Sequence, residues 1–108
     1  LEGAQVVLVA YGTVGRVAQT TAKLARAQGL AVGLFRPVSL FPFPTDALDA
    51  LCGQAKAFLV SEMSSGQMVE DVRLVVNGRA PVYFYGRQGG VVPSPQELLA
   101  RVQAIYPA

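Results

Sequence analysis

Apolar positions in this chain fall into four short, nearly continuous runs, separated by segments in which they recur every three or four residues. Gln5 to Tyr11 (QVVLVAY) is the first run and stops at Gly12, the pattern of a strand buried on both faces. From Thr13 onward Val14, Val17, Ala18, Thr21, Leu24 and Ala25 mark the inward stripe of a helix that Gly29 should end. Residues 30–36 (LAVGLFR) predict a second strand, closed by Pro37, which has no backbone N–H to continue a ladder. Prolines 42 and 44 forbid a regular helix over residues 39–44, where Phe41 and Phe43 predict a packed loop.

The second half repeats the alternation. Thr45 is placed to cap a short helix with Asp46 in its first turn and Ala47, Leu48, Leu51 and Cys52 facing inward. Ala57 to Glu62 predicts strand three, and Met63 to Gly66 a small polar turn. The next helix should bury Met68, Val69, Val72, Val75 and Val76 and end at Asn77-Gly78. Pro81 to Tyr85 predicts strand four, and a glycine-rich loop follows from Gly86 to Gly90. Ser94-Pro95-Gln96-Glu97 combines a capping box with proline at the first helical position, and Leu98, Leu99, Val102 and Ile105 form the last inward face. Strict strand–helix alternation predicts an α/β fold in three layers, a mainly parallel sheet with helices on both sides, over one domain spanning residues 1–108.

Composition narrows the function. The 108 residues are 52% hydrophobic and 15% charged, which predicts a real core and a surface short of charge, so that some apolar surface should be covered by a partner. The net charge is +2, with the arginines at 16, 26, 36, 73, 79, 87 and 101 dispersed rather than clustered, and this speaks against nucleic acid. One cysteine and no histidine exclude an intrachain disulfide and most structural zinc sites. No apolar run approaches the roughly 20 residues that span a bilayer, and the start is unlike a signal peptide, so a cytoplasmic location without membrane contact is expected.

Gly12-Thr13-Val14-Gly15 stands where a strand feeds a helix, so free amides there are a candidate anion site; a close-packed structural turn is the favoured alternative. The spacing G-x-x-G-x-x-A fails the dinucleotide fingerprint, Arg36 stands where that fold wants an acid, and there is no P-loop lysine. Glu62 ends a buried strand, where ligand-facing groups of open sheets sit, but is favoured as an acceptor for nearby turn amides. Ser64 and Ser65 read as helix caps, since no histidine is present to activate them, and Cys52 reads as core. Arg87, in its glycine-rich loop, suits a subunit contact; an anionic substrate contact and a solvated arginine remain open.

Phe35-Arg36-Pro37, the segment EMSSGQMVEDVR at 62–73, and Asn77-Gly78-Arg79 leading into VYFYGRQGG and Pro93-Ser94-Pro95 carry a resemblance. From about Val6 to about Leu99 the chain resembles the C-terminal, transketolase C-terminal-like domain of the alpha subunit of 2-oxoacid:ferredoxin oxidoreductases. The resemblance implies sheet order 2-1-3-4, a possible extra antiparallel edge strand at the N-terminal side, and adjacent turns at Gly12 and after Glu62. It implies a parent enzyme that decarboxylates a 2-oxoacid oxidatively, reduces ferredoxin through iron–sulfur clusters and forms an acyl-coenzyme A, with thiamine diphosphate and magnesium as cofactors. The motifs for those groups are absent from this sequence, so no catalytic residue carries over and the domain alone is expected to be inactive. Arg36, Glu62, Gly66, Gln67, Glu70, Arg73 and Arg87 match family positions and are expected to serve contacts with the other domains and with the thiamine-binding beta subunit. Gly12, Thr13, Ser65 and Gly66 would form any anion site. The rivals are the equivalent domain of a transketolase or of a 2-oxoacid dehydrogenase beta subunit, and a small anion- or nucleotide-binding module.

Overall fold

The most hydrophobic run occupies the middle of the sheet. In the computed structural model, which describes residues 5–37, 45–52, 55–62, 67–86 and 93–106, β1 (Val6–Ala10) is buried along its whole length. It pairs in parallel with β2 (Val32–Phe35) on one side and β3 (Ala57–Glu62) on the other, and β4 (Val82–Gly86) adds to β3, giving the order β2-β1-β3-β4. This is the expected order. Both neighbours of β1 offer apolar side chains above and below, which is why its sequence shows no polar alternation. Among the described residues there is no fifth strand.

The pleat divides the core in two. Val7 and Val9 of β1 and Phe58 and Val60 of β3 point to a face covered by α2 (Thr45–Asp49) and α3 (Gln67–Val76), through Leu48, Val69, Val72 and Val76. Val6, Leu8, Ala57 and Leu59 point to the other face, covered by α1 (Thr13–Ala27) and α4 (Pro95–Ile105) through Val14, Ala18, Ala22, Ala25, Leu98 and Val102. Each fully buried leucine or phenylalanine contributes about 1.5–3 kcal/mol relative to an exposed one.

The helix boundaries follow local chemistry. α1 ends in a Schellman arrangement: Gly29 takes φ 83°, its N–H donates to the Arg26 carbonyl at 3.0 Å, and Leu30 N–H donates to the Ala25 carbonyl at 3.0 Å. α3 stops at Asn77 (φ 50°), and Arg79 closes its end by donating from Nε to the Val76 carbonyl at 3.0 Å and from Nη2 to the Val75 carbonyl at 2.6 Å. The same Nη2 reaches Asp49 Oδ1 at 2.6 Å, tying α3 to α2.

α4 opens on the expected capping box. Glu97 N–H donates to Ser94 Oγ at 3.1 Å and Ser94 N–H donates to Glu97 Oε1 at 3.2 Å. Tyr85 Oη donates to the other Glu97 oxygen, and Arg101 lies 4.9 Å from the centre of the Tyr85 ring, so the cap is also anchored to β4.

Four details differ from the sequence reading. β2 is Val32–Phe35 rather than 30–36: Leu30 N–H closes the α1 cap on the Ala25 carbonyl, and Ala31 N–H donates to Tyr106 Oη at 2.7 Å. β4 runs from Val82 to Gly86 rather than from Pro81 to Tyr85, since Pro81 lacks the N–H that a ladder residue needs. Thr45 is the first residue of α2 rather than the residue before it. Ala47 is exposed while Leu48 and Cys52 are buried: a five-residue helix presents one narrow stripe, too narrow to hold both Ala47 and Leu48. The expected packed loop at 39–44, the turn at 63–66 and the loop at 87–90 lie outside the described residues.

Candidate functional site

Parallel strands bring all their carboxyl ends to one edge, and the residues that close those strands line up along it. Phe35 pairs with Val9, Ala10 with Ser61, and Glu62 with Gly86. Arg36, the Tyr11–Gly12 turn, Glu62 and Gly86 therefore follow one another across the sheet. Gly12 adopts φ 66° and ψ −135°, a conformation that is essentially reserved for glycine, and this lets the chain turn at once from β1 into α1. No side chain caps α1 and its first turn holds no acid; the Gly15 N–H donates to the Gly12 carbonyl at 3.0 Å.

An open depression of about 440 Å³ lies on the β2 side of this turn, lined among the described residues by Tyr11, Gly12, Arg36 and Pro37. Arg36 crosses above the first turn of α1. A Cβ placed on Gly15 would stand 2.6 Å from Arg36 Nε and 3.3 Å from its Cζ, so the absence of a side chain at 15 is what lets the guanidinium lie there. Gly15 is thus more than the fastener between strand and helix: it seats Arg36.

Glu62 plays a different part. It is 7% exposed, and its Oε2 accepts from Val69 N–H at 3.1 Å, in the first turn of α3. The positive end of a helix favours a carboxylate there, and the bond satisfies one of its orphan amides. The expectation of an amide acceptor is met by a helix amide. So buried a residue has little surface to offer a neighbour. Beside it, Ser61 Oγ donates to the Tyr85 carbonyl at 2.9 Å, joining β3 to β4.

Of the remaining candidates, Glu70 and Arg73 sit exposed on α3 and pair with each other at 3.2 Å. Gln67 is the first residue of α3. Thr13 is the first residue of α1. Ser65, Gly66 and Arg87 lie outside the described residues. The structure thus groups Arg36 with Gly12 and keeps both apart from Glu70 and Arg73. Tyr11 and Pro37 were not singled out by sequence reasoning, and no local signal marks them: they meet only because β1 and β2 are parallel neighbours.

Cys52 lies in the core, its thiol donating to the Leu48 carbonyl at 3.5 Å. Burial pushes this thiol up, with the nearby Arg79 charge opposing. Among the described residues no three histidine, cysteine, aspartate or glutamate side chains cluster as a metal site would require, and no helix is long and apolar enough to cross a membrane.

Comparison with known proteins gives this edge a context. The chain is 40% identical over 105 residues to the ketoisovalerate oxidoreductase subunit VorB of Methanothermobacter thermautotrophicus, covering 97% of this chain and 30% of that subunit. It is 29% identical to the 2-oxoglutarate synthase subunit KorA of Methanothermobacter marburgensis, covering 96% of this chain and 28% of that one. The chain therefore spans less than a third of the length of these relatives. Among solved structures, the 2-oxoglutarate:ferredoxin oxidoreductase of Magnetococcus marinus, with 2-oxoglutarate, coenzyme A and succinyl-CoA bound, superposes with a TM-score of 0.85 at 25% identity over 96% of this chain and 18% of that one. A split-gene transketolase shares the fold, with a TM-score of 0.82 at 24% identity over 95% of this chain and 38% of that one. With residues 4–98 matching the sequence model of the pyruvate:ferredoxin oxidoreductase core domain II, the chain belongs to that family.

Proposed function

We propose that this chain is one structural and assembly domain of a larger 2-oxoacid:ferredoxin oxidoreductase subunit, in an enzyme that oxidises a 2-oxoacid to an acyl-coenzyme A. The observation that carries the reading is the match of 97% of the chain to only 30% of an oxidoreductase subunit. Relatives named for ketoisovalerate and for 2-oxoglutarate support an oxidative 2-oxoacid enzyme over a transketolase. They are named for different 2-oxoacids while sharing this domain, which supports a substrate-selecting site elsewhere in the enzyme.

The residues present do not fit the cofactors of such an enzyme. The sequence has one cysteine, and that thiol is buried and held protonated in the core, unsuited to ligate an iron–sulfur cluster. The buried carboxylate Glu62 serves the amide of Val69. Thiamine diphosphate, magnesium and the clusters therefore belong to other parts of the complex, including its beta subunit, and ferredoxin meets the whole assembly in the cytoplasm. This domain supplies a rigid parallel sheet whose carboxyl edge faces its neighbours. The test is an assay of the fragment with a 2-oxoacid, coenzyme A, thiamine diphosphate, magnesium and an electron acceptor. No turnover is expected; turnover by the fragment would overturn the non-catalytic reading.

A further inference from the structure

Two other arginines of this fold are held by acceptors: Arg79 bonds Asp49 and two carbonyls, and Arg26 Nε donates to the Val32 carbonyl at 2.9 Å. Arg36 has none among the described residues. Its guanidinium rests on the bare Cα of Gly15, and among the described residues it forms neither a hydrogen bond nor an ion pair. The first turn of α1 contains no acid to neutralise it. Beside it, Tyr11 is 41% exposed, and together with Pro37 it gives the depression apolar walls, with Arg36 the one cation among the described lining residues.

An exposed guanidinium lying over a glycine, with a tyrosine beside it, has the make-up of a binding hot spot, where arginine and tyrosine are enriched. One guanidinium matches one carboxylate in charge and in its two-pronged geometry. A polyphosphate would leave most of its charge uncompensated here.

The geometry points to a carboxylate side chain of a partner subunit that enters the depression between Tyr11 and Pro37 and accepts both prongs of Arg36, with Gly15 as the residue that positions the arginine. This rests on the assembly reading above, and both matched relatives are named as subunits.

Three variants of the intact enzyme test it: Arg36→Ala, Arg36→Lys and Gly15→Ala, with subunit association measured by analytical ultracentrifugation at low and high salt. Arg36→Ala should weaken association about tenfold and reduce its salt dependence, with Arg36→Lys weakened less. Gly15→Ala should weaken association too, by displacing Arg36, while the subunit's melting temperature holds or rises, because alanine is the better helix former. That opposition separates positioning from simple misfolding. Unchanged association in both Arg36→Ala and Gly15→Ala would overturn the docking site. A raised coenzyme A KM with unchanged association would also overturn it, by assigning Arg36 to a free phosphate. The assembly reading fails separately, if the unmodified enzyme oxidises no 2-oxoacid.

Discussion

The first and last helices of this domain begin in opposite ways. α4 is closed by its own residues: Ser94 and Glu97 satisfy each other's amides, and Tyr85 binds the spare carboxylate oxygen. α1 opens on Gly12 with no side-chain cap and no acid in its first turn, and among the described residues the Arg36 guanidinium lies over Gly15. α3 stands between them, closed by a carboxylate borrowed from β3. Two helix starts are thus completed inside the domain, and a third, beside the central strand, presents positive charge outward. Bonds within the domain account for the first two, and the docking proposal concerns the third.

Four substitutions would break or sharpen this contrast. Gly12→Ala should cost the most, about 2–3 kcal/mol, since alanine is strained at φ 66° and ψ −135°; urea unfolding measures it, and an unchanged midpoint would mean that the turn is not constrained as described. Glu62→Ala should cost about 2 kcal/mol by stranding the Val69 amide in the core. Amide hydrogen exchange at Val69 should accelerate along with that loss. Ser94→Ala removes only one side of the capping box and should cost about 1 kcal/mol. An unaltered thermal melt would count against the box. Arg16→Glu runs the other way: an acid in the bare first turn of α1 should stabilise by about 0.5 kcal/mol at low ionic strength, fading as salt is added. Failure to stabilise would show that the start of α1 is already compensated.

The strands and the α4 cap were legible because their signals are local or nearly so. Continuous apolar runs announce strands buried on both faces, and S-P-Q-E spells its own cap. Sheet order came from the family resemblance, since counting elements leaves several orders open. The seat at Gly15 was legible only as a tight turn. Its purpose depends on Arg36, which the pairing of Val9 with Phe35 delivers to the same corner. Ala47 misled because a helical stripe is an average over several turns, and α2 is barely longer than one.

The parallel sheet also carries a schedule. β1 is the first strand of this domain but has no adjacent hairpin to join, since each strand it pairs with is reached through a crossover. Its pairing with β3 joins Val6 to Ala57, so everything between them must be synthesised before the most apolar strand is covered on both edges. Closing such long loops is slow. Until then the run VVLVA is an uncharged, strand-forming segment open to neighbouring chains, and the α1 residues that pack on Val6 and Leu8 are the nearest in sequence that can cover one face of it.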